Sequence, residues 1–289
     1  MLQLFLDSDC DFTKAEADSY GARLISMPYL VDGEEVYPYE SWDEFDSTTF
    51  YDNLRKGNIP TTSALNPANY VQIFEPAFQK GGEILYIHFS SAMTVTFDAM
   101  HKAIEELKAK YPGVRFEEID TLSMTLGAYQ IAREILNFLK AGHSLDETLA
   151  YAEENKQRNA CIFFVDDLKF FARSGRVSHI SSFMGNLMSI KPLIHINEQG
   201  QMVSFAKAHG RGGAIKKLVE YVKELGDDIK NHEFIVGHSD CLHLAEKTIA
   251  ALREEFGEDL NVRLSLTNPT AGSHSGPDGV GVAFHAIHR

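Results

Sequence analysis

The chain has 289 residues, of which 44% are hydrophobic, and carries a formal net charge of −14. This is enough apolar material for two ordinary domains with cores of their own. The acidic charge argues against nucleic-acid binding, because phosphates demand a basic footprint. The three cysteines are widely spaced and form no paired motif. The sequence therefore indicates neither a disulfide framework nor a four-thiolate zinc site.

The amino-terminal stretch predicts a short strand that leads into an acidic loop. Leu2–Leu6 is apolar but reaches Asp7 too soon for a signal peptide, and no later apolar run approaches the roughly 18 residues of a membrane-spanning helix. We therefore expect a soluble cytoplasmic protein. Asp7, Asp9 and Asp11 alternate like the start of a calcium loop, but the later Gly and Glu of such a loop are missing. Solvation or helix capping is the favoured interpretation of these carboxylates.

The stretch from Glu83 to Phe97 is the centre of the predicted fold. The apolar run 84–89 predicts a strand buried on both faces, as in the middle of a parallel sheet. Four hydroxyl residues then crowd the turn before a helix that we predict from Phe97 to about Lys110: Ser90, Ser91, Thr94 and Thr96. Hydroxyls and free backbone N–H groups at this point favour an anion, although simple capping of the helix explains the same residues.

Helix start signals surround this strand. Thr13-x-x-Glu16, Ser41-x-x-Glu44 and Asn66-Pro67 each predict the beginning of a helix. A further strand at Val114–Ile119 and a helix at Thr125–Lys140 continue the alternation. This order predicts a three-layer α/β/α domain with a parallel sheet over residues 1–158.

The second half predicts a two-layer α/β domain with a mixed sheet over residues 159–289, with any ligand held between the two domains. Its expected elements are the strand 160–165, the helix 167–173, a hairpin across Asn197–Gly200, the helix 213–225, the strand 234–237, the helix 241–256 and the strand 261–266.

Two stretches of the second half could carry chemistry. Gly237–His243 gathers two His, an Asp and a Cys, but it lacks a metal-ligand spacing, so we favour an N-cap at Ser239 or Asp240 and predict no metal. The run 267–284 predicts a Gly-, Ser- and Pro-rich loop that holds His274. Glycines let a backbone approach a ligand closely, whereas a lone loop His is often only solvated.

Three stretches in this order resemble the DegV family of bacterial fatty-acid-binding proteins. They are Thr62-Ser63, Ser90-Ser91 and Gly272-Ser-His-Ser-Gly-Pro277, and they are supported by Ser174-Gly-Arg-Val177 and Lys191-Pro-Leu-Ile194. The resemblance covers essentially the whole chain. It implies two α/β domains with a long-chain fatty acid between them. Its carboxylate would lie near Thr62, Ser63, Ser91 and His274, and its tail in an apolar tunnel.

The resemblance also implies a partner and no cofactor. Proteins of this family present the bound acid to a separate fatty-acid kinase, so this chain would be a carrier and not an enzyme. Arg173 and Arg176 stand out in an acidic chain and are the predicted docking residues for the kinase. The sequence departs from the family pattern at Val95, which replaces a Gly and would alter the tunnel wall, and at His209, which replaces an Arg of the basic partner surface.

An enzyme is the competing interpretation. His274 as base and Ser91 as nucleophile would make the protein a small-molecule phosphotransferase or an acyl hydrolase. The sequence offers neither a third orienting residue nor a nucleophile-elbow motif for such a site.

Overall fold

The first half of the chain alternates strands and helices, as its sequence predicts. The computed structural model describes residues 1–178 and 189–289. Its elements up to residue 158 are β1 (Leu2–Asp7), α1 (Lys14–Ser19), β2 (Ala22–Ile25), β3 (Tyr29–Val31), β4 (Glu34–Val36), α2 (Ser47–Arg55), β5 (Thr61–Thr62), α3 (Pro67–Lys80), β6 (Glu83–His88), α4 (Thr96–Lys110), β7 (Arg115–Asp120), α5 (Thr125–Lys140) and α6 (Leu145–Asn155).

Four of these strands form a parallel sheet in the order β2-β1-β6-β7. The predicted central strand is β6, in which Ile84 and Leu85 are fully buried. Helices α3 and α4 pack against each other, and α5 contacts β6. Because both faces of this sheet are covered, its strands are nearly continuous apolar runs. The prediction of a parallel sheet in an α/β domain is confirmed.

The predicted start of the second helix at Ser41 is wrong. Helix α2 begins at Ser47, and the Asp46 side chain accepts a hydrogen bond from the backbone N–H of Thr49 at 3.0 Å. The Ser41 hydroxyl instead accepts from the backbone N–H of Tyr37, at 3.1 Å. Ser41 therefore closes a turn and is not available to cap a helix.

The second half builds a second sheet. Its elements are β8 (Asn159–Phe164), α7 (Leu168–Ser174), β9 (Val177–Ser178), β10 (Ile190–Ile196), β11 (Met202–His209), α8 (Gly210–Leu225), β12 (Phe234–His238), α9 (Leu242–Phe256), β13 (Val262–Leu266), α10 (Pro269–Ser275) and β14 (Val280–His285).

Seven strands form this sheet in the order β13-β12-β14-β8-β10-β11-β9. The pairs β12–β13 and β11–β9 are parallel, whereas the other pairs are antiparallel. The predicted mixed sheet is therefore confirmed, and so is the hairpin, which is β10 and β11. The domain boundary between residues 158 and 159 stays a prediction, although β8 begins at Asn159.

The predicted irregular loop after residue 267 is partly wrong, because α10 occupies Pro269–Ser275. Asn268 caps this helix, and Pro269 occupies its first turn. This is the start signal that the sequence shows at Asn66-Pro67. The glycines of the segment do not prevent a helix of this length.

Helix α5 lies between the two sheets. It contacts β6 of the first sheet and β8, β12 and β14 of the second. Glycines of the second sheet allow the close approach: a Cβ on Gly237 would lie 3.0 Å from the Leu126 Cβ, and a Cβ on Gly281 would lie 3.3 Å from the Leu126 Cδ1. Among the residues that the structure describes, no helix is long and apolar enough to span a membrane.

Candidate ligand-binding site

Thr62 and His274 meet although they are 212 residues apart in the sequence. Thr62 ends β5, which pairs with β3 in a small antiparallel sheet. His274 belongs to α10, which contacts both of these strands. The His274 Nε2 lies 2.9 Å from the Thr62 Oγ1, at hydrogen-bond distance. Two of the predicted site residues, one from each half of the chain, are therefore in contact.

Buried hydrogen bonds hold α10 against the first half of the chain. The Asn268 Nδ2 donates to the Asp11 Oδ1 at 2.7 Å, and the backbone N–H of Asn268 donates to the same oxygen at 3.0 Å. The Thr270 Oγ1 donates to the Met27 carbonyl at 2.7 Å. Buried polar groups need such partners because water does not reach them. The position of His274 is thus set by the helix that carries it.

A cavity that we call the polar cavity, after its cluster of polar side chains, borders the Thr62–His274 pair. Besides these two residues, its polar lining consists of Asp9, Ser63, Thr94, Thr96, Arg176 and Thr270, and its apolar lining includes Met27, Phe89 and Met202. Hydroxyl groups can donate hydrogen bonds without placing a permanent cation in the interior. The cavity is therefore suited to a small anionic head group.

A second cavity, which is apolar, also borders His274. Its lining comes from α5, β8 and the residue after it, α7, β12, α10 and β14, and includes Leu126, Phe163, Val165, Phe171 and Val280. His274, Ala271 and Met124 line both cavities. The apolar cavity is narrow, with a volume of about 40 Å³, so an acyl chain has to part the side chains that line it. A ligand with a polar head and an apolar tail fits this arrangement of a polar cavity next to an apolar one.

The hydroxyl residues after β6 divide into two groups. Ser91 is exposed, and its side chain is not part of the lining of either cavity. Its backbone N–H donates to the Asp120 Oδ2 at 3.3 Å. Thr94 and Thr96 do line the polar cavity. A 3₁₀ turn over Ser91–Met93 separates the exposed Ser91 from Thr94, which lines the cavity. The role of Ser91 in ligand binding stays a prediction.

Ser63 lines the polar cavity, but its hydroxyl already has a partner. The Ser63 Oγ donates to the Glu35 Oε1 at 2.8 Å. Hydrogen bonds from Tyr37 and Ser63 lower the pKa of Glu35, so this carboxylate is a firm acceptor. A ligand would have to compete with Glu35 for the Ser63 proton.

The polar cavity opens to the surface between the turn after β6 and the β10–β11 hairpin. Met93, Thr94 and Val95 line one side of the opening, and Gln201 and Met202 line the other. Val95 is 72% exposed. Val95 therefore lies at the mouth, and its effect on the tunnel wall stays a prediction.

The field at the site is positive. Burial, followed by the charges of Arg176 and Arg173, lowers the pKa of His274 to about 4. His274 is consequently neutral at pH 7 in the ligand-free protein. Arg176 lines the cavity and its mouth, and the Arg173 Nη2 lies 3.5 Å from the Ile59 carbonyl. An anion between these groups would be stabilised and would favour protonation of His274.

The enzyme interpretation receives no support from this geometry. A nucleophile must lie within hydrogen-bond reach of its base. The Nε2 of His274 is instead 2.9 Å from Thr62, and Ser91 lies outside both cavities around His274.

Another His cluster lies elsewhere, where Glu134, His232 and His285 place ligand atoms within 4.8 Å of one another. The two imidazole rings are stacked, with centroids 3.8 Å apart and planes 5° from parallel. Imidazole lone pairs lie in the ring plane, so one ion about 2.0–2.1 Å from each nitrogen cannot lie in both planes. The stacked pair therefore does not suit a shared metal ion.

The predicted N-cap in Gly237–His243 is wrong. Cys241, not Ser239 or Asp240, precedes α9, and its backbone N–H donates to the His238 Nδ1.

Solved structures share this fold. A Thermus thermophilus protein, whose structure is described as fatty acid binding of a DegV family protein, superposes with a TM-score of 0.81 at 23% identity, covering 99% of both chains. A Eubacterium ventriosum protein described as stearic acid-binding gives a TM-score of 0.83 at 16% identity, covering 98% of this chain and 97% of the other. At these identities the comparison establishes the fold.

Sequence comparison establishes the family. A DegV domain-containing protein of Clostridium perfringens is 31% identical over 281 residues, which are 97% of this chain and 96% of the relative. One from Streptococcus pyogenes serotype M1 is 31% identical over 282 residues, 96% of each chain. A family model described as an uncharacterised protein of the DegV family matches residues 1–286. This chain therefore belongs to the DegV family, and the match covers residues 1–286.

Proposed function

We propose that this protein binds a long-chain fatty acid and presents it to a fatty-acid kinase, which makes the acyl phosphate. The observation that carries the first part is His274, which contacts Thr62 in the polar cavity and also lines the apolar cavity. The carboxylate would lie in the polar cavity and the tail in the apolar one. In this role the protein is a carrier, and it requires no cofactor.

The tail would supply most of the affinity. Burial of an acyl chain of about sixteen carbons, at about 0.8 kcal/mol per CH₂, gives a gross stabilisation on the order of 10 kcal/mol before the cost of immobilisation. Part of this energy is needed to widen the narrow apolar cavity. Leu126, Phe163 and Phe171 are the side chains that would move apart.

The head group would be held by neutral donors and a positive field. Thr62 and His274 are the predicted partners that the cavity geometry supports, and Thr94 is the hydroxyl after β6 that lines the same space. Arg176, at the mouth, would attract the carboxylate. Hydrogen bonds to a charged group contribute roughly 1.5–3 kcal/mol each.

Presentation to a kinase would use the open mouth of the polar cavity. Arg173 and Arg176 lie close enough to this site for their charges to lower the pKa of His274. Arg211 is a weaker candidate for docking, because it forms an ion pair with Asp166 at 2.9 Å. A cationic rim beside the carboxylate suits a partner that delivers a phosphoryl group.

A matched pair of variants on β5 tests fatty-acid binding at this site. Thr62→Val removes the hydroxyl but keeps the shape, and Thr61→Val makes the same change at the exposed neighbour. Displacement of a fluorescent fatty acid by palmitic acid should show affinity about tenfold or more weaker for Thr62→Val, and unchanged for Thr61→Val. Equal affinities of both variants and the wild type would remove Thr62 from the head-group site.

A further inference from the structure

The acidic loop after β1 contains three buried carboxyl groups, and two of them have structural partners. The Asp7 Oδ2 accepts from the backbone N–H of Phe89 at 2.8 Å, and its Oδ1 accepts from the backbone N–H of Asp9 at 2.9 Å. The Asp11 Oδ1 accepts two hydrogen bonds from Asn268. Asp7 and Asp11 therefore hold the sheet edge and α10 in place.

Asp9 differs from its two neighbours. It is 7% exposed and lines the polar cavity together with Thr62, Thr94 and His274. Its buried Oδ1 has no hydrogen-bond partner among the described residues. No cation of the described residues forms an ion pair with it either, so the group is costly to bury as an anion.

The surroundings of Asp9 favour its neutral form. Burial, followed by the charges of Asp7 and Asp11, raises the pKa of Asp9 well above its usual value. Burial also raises the pKa of Asp7 and of Asp11 to about 7. The other adjoining titratable groups of the loop and of the sheet and helix packed on it are Cys10, Tyr86 and Tyr70, and burial raises the pKa of each. Across the cavity are the neutral His274 and the cation of Arg176.

We propose that Asp9 and the carboxyl group of the bound fatty acid form a hydrogen-bonded pair that shares one proton. Two carboxylates that share a site cannot both ionise easily, and one retained proton converts repulsion into a hydrogen bond. The Asp9 O–H donates to an oxygen of the ligand carboxylate. This proposal rests on the proposed function, because it places the fatty-acid head group in the polar cavity.

The pair makes binding dependent on pH. Below the pKa of Asp9 in the free protein, the shared proton is already present and Asp9 adds no pH dependence. Above that pKa, binding must take up one proton, so the affinity falls by about tenfold per pH unit. The pair also favours a head group with one negative charge over one with two, since the second charge would again oppose the carboxyl oxygens of Asp9.

The test compares the wild type with Asp9→Asn, which keeps the shape and a donor but does not titrate. The dissociation constant of palmitic acid is measured for both between pH 6 and pH 9. The ratio of the wild-type to the variant constant at each pH cancels the ionisation of the ligand itself. We expect this ratio to lie near one for as long as Asp9 of the free protein keeps its proton and to rise by about tenfold per pH unit once it ionises. We also expect Asp9→Ala, which lacks a donor, to bind palmitic acid about tenfold or more weakly than the wild type at pH 6. The corresponding alcohol, whose head group is uncharged, should give a ratio that is much less dependent on pH.

Weaker binding by the wild type than by Asp9→Asn, by the same factor at every pH, would mean that Asp9 stays ionised beside the ligand. Equal affinity of Asp9→Ala and the wild type would mean that Asp9 makes no hydrogen bond to the ligand. Either result would overturn the shared proton and leave fatty-acid binding intact. Absence of palmitic acid binding by the wild type at every pH would overturn the proposed function as well. If Asp9→Asn does not fold, as judged by circular dichroism, Asp9→Ser gives the same comparison, because its hydroxyl donates without titrating in this range.

Discussion

The ionisation of His274 gives the site a measurable signature. Burial lowers the pKa of this imidazole to about 4, below its ordinary 6.5. Between these values the unfolded chain binds a proton that the folded chain does not, so His274 makes the ligand-free protein less stable as the pH falls from 6.5 to 4. We expect the free energy of unfolding of His274→Gln to lack this pH dependence, and urea unfolding at a series of pH values measures it. A difference between variant and wild type that does not change with pH would show that His274 is not held neutral.

Ser91 and Thr94 are alternative hydroxyls for the ligand carboxylate. Only Thr94 lines the polar cavity, whereas Ser91 is exposed. We expect Thr94→Val to weaken palmitic acid binding by about tenfold. Ser91→Ala, measured in parallel, tests the sequence prediction for Ser91, which requires a similar loss of affinity. An unchanged dissociation constant for Thr94→Val would remove Thr94 from the head-group site, and an unchanged constant for Ser91→Ala would remove Ser91.

The residues of the site were not equally predictable from the sequence. Thr62 and His274 follow from the family motifs, and the structure brings them together. Asp9 was interpreted as a solvated or capping carboxylate, but it is 7% exposed and borders the cavity. The turn that carries Asp9, Ser8–Cys10, contacts α5, and residues of α10 and of the turn after β6 complete the cavity that Asp9 borders. These elements come from distant parts of the chain. Local spacing carries no information about such a contact.

At the scale of elements, an Asn-Pro pair marks the start of two helices, but only one of them is predicted from the sequence. Asn66-Pro67 correctly predicts the start of α3, whereas the Gly-rich composition after Asn268-Pro269 predicts a loop where α10 forms. Composition misled the interpretation, because Gly272 lies inside the helix. This glycine is required by packing: a Cβ at Gly272 would lie 2.6 Å from the Tyr51 hydroxyl.

These two caps provide a matched test of α10. Asn66→Ala removes an exposed cap and should lower the free energy of unfolding by about 1 kcal/mol without changing ligand affinity. Asn268→Ala also leaves the buried Asp11 without its side-chain donor. We expect a loss of roughly 2–3 kcal/mol together with weaker binding, since α10 carries His274. Chemical denaturation and probe displacement on both variants measure these effects. Equal losses, with affinity unchanged in both, would contradict the anchoring role of Asn268.

At the scale of the whole molecule, α5 contacts both sheets, and residues from both halves of the chain line each cavity. The order of strands and helices in the sequence predicts both sheets. The contact between the halves cannot be predicted in this way, because it depends on glycines such as Gly237, where a Cβ would lie 3.0 Å from the Leu126 Cβ.

The proposed docking of a kinase predicts that charge reversal on the exposed face of α7 slows the kinase reaction. Arg173→Glu should slow acyl-phosphate formation by the cognate kinase, whereas Lys169→Glu, which reverses a charge on the same helix, should have little effect. The difference between Arg173→Glu and the wild type should shrink as salt rises, because salt screens exposed charges. Arg176→Glu should in addition weaken fatty-acid binding, since Arg176 lines the cavity. Normal rates for Arg173→Glu at low salt and limiting carrier concentration would place the docking surface elsewhere.

The central claim is that the two cavities together hold one fatty acid. Gentle purification without detergent, followed by native mass spectrometry and by extraction and identification of the bound lipid, tests it most directly. We predict one long-chain fatty acid per chain in the wild type and a strongly reduced amount in Thr62→Val, with Thr61→Val unchanged. A lipid-free wild-type protein that also fails to bind added palmitic acid would contradict the account.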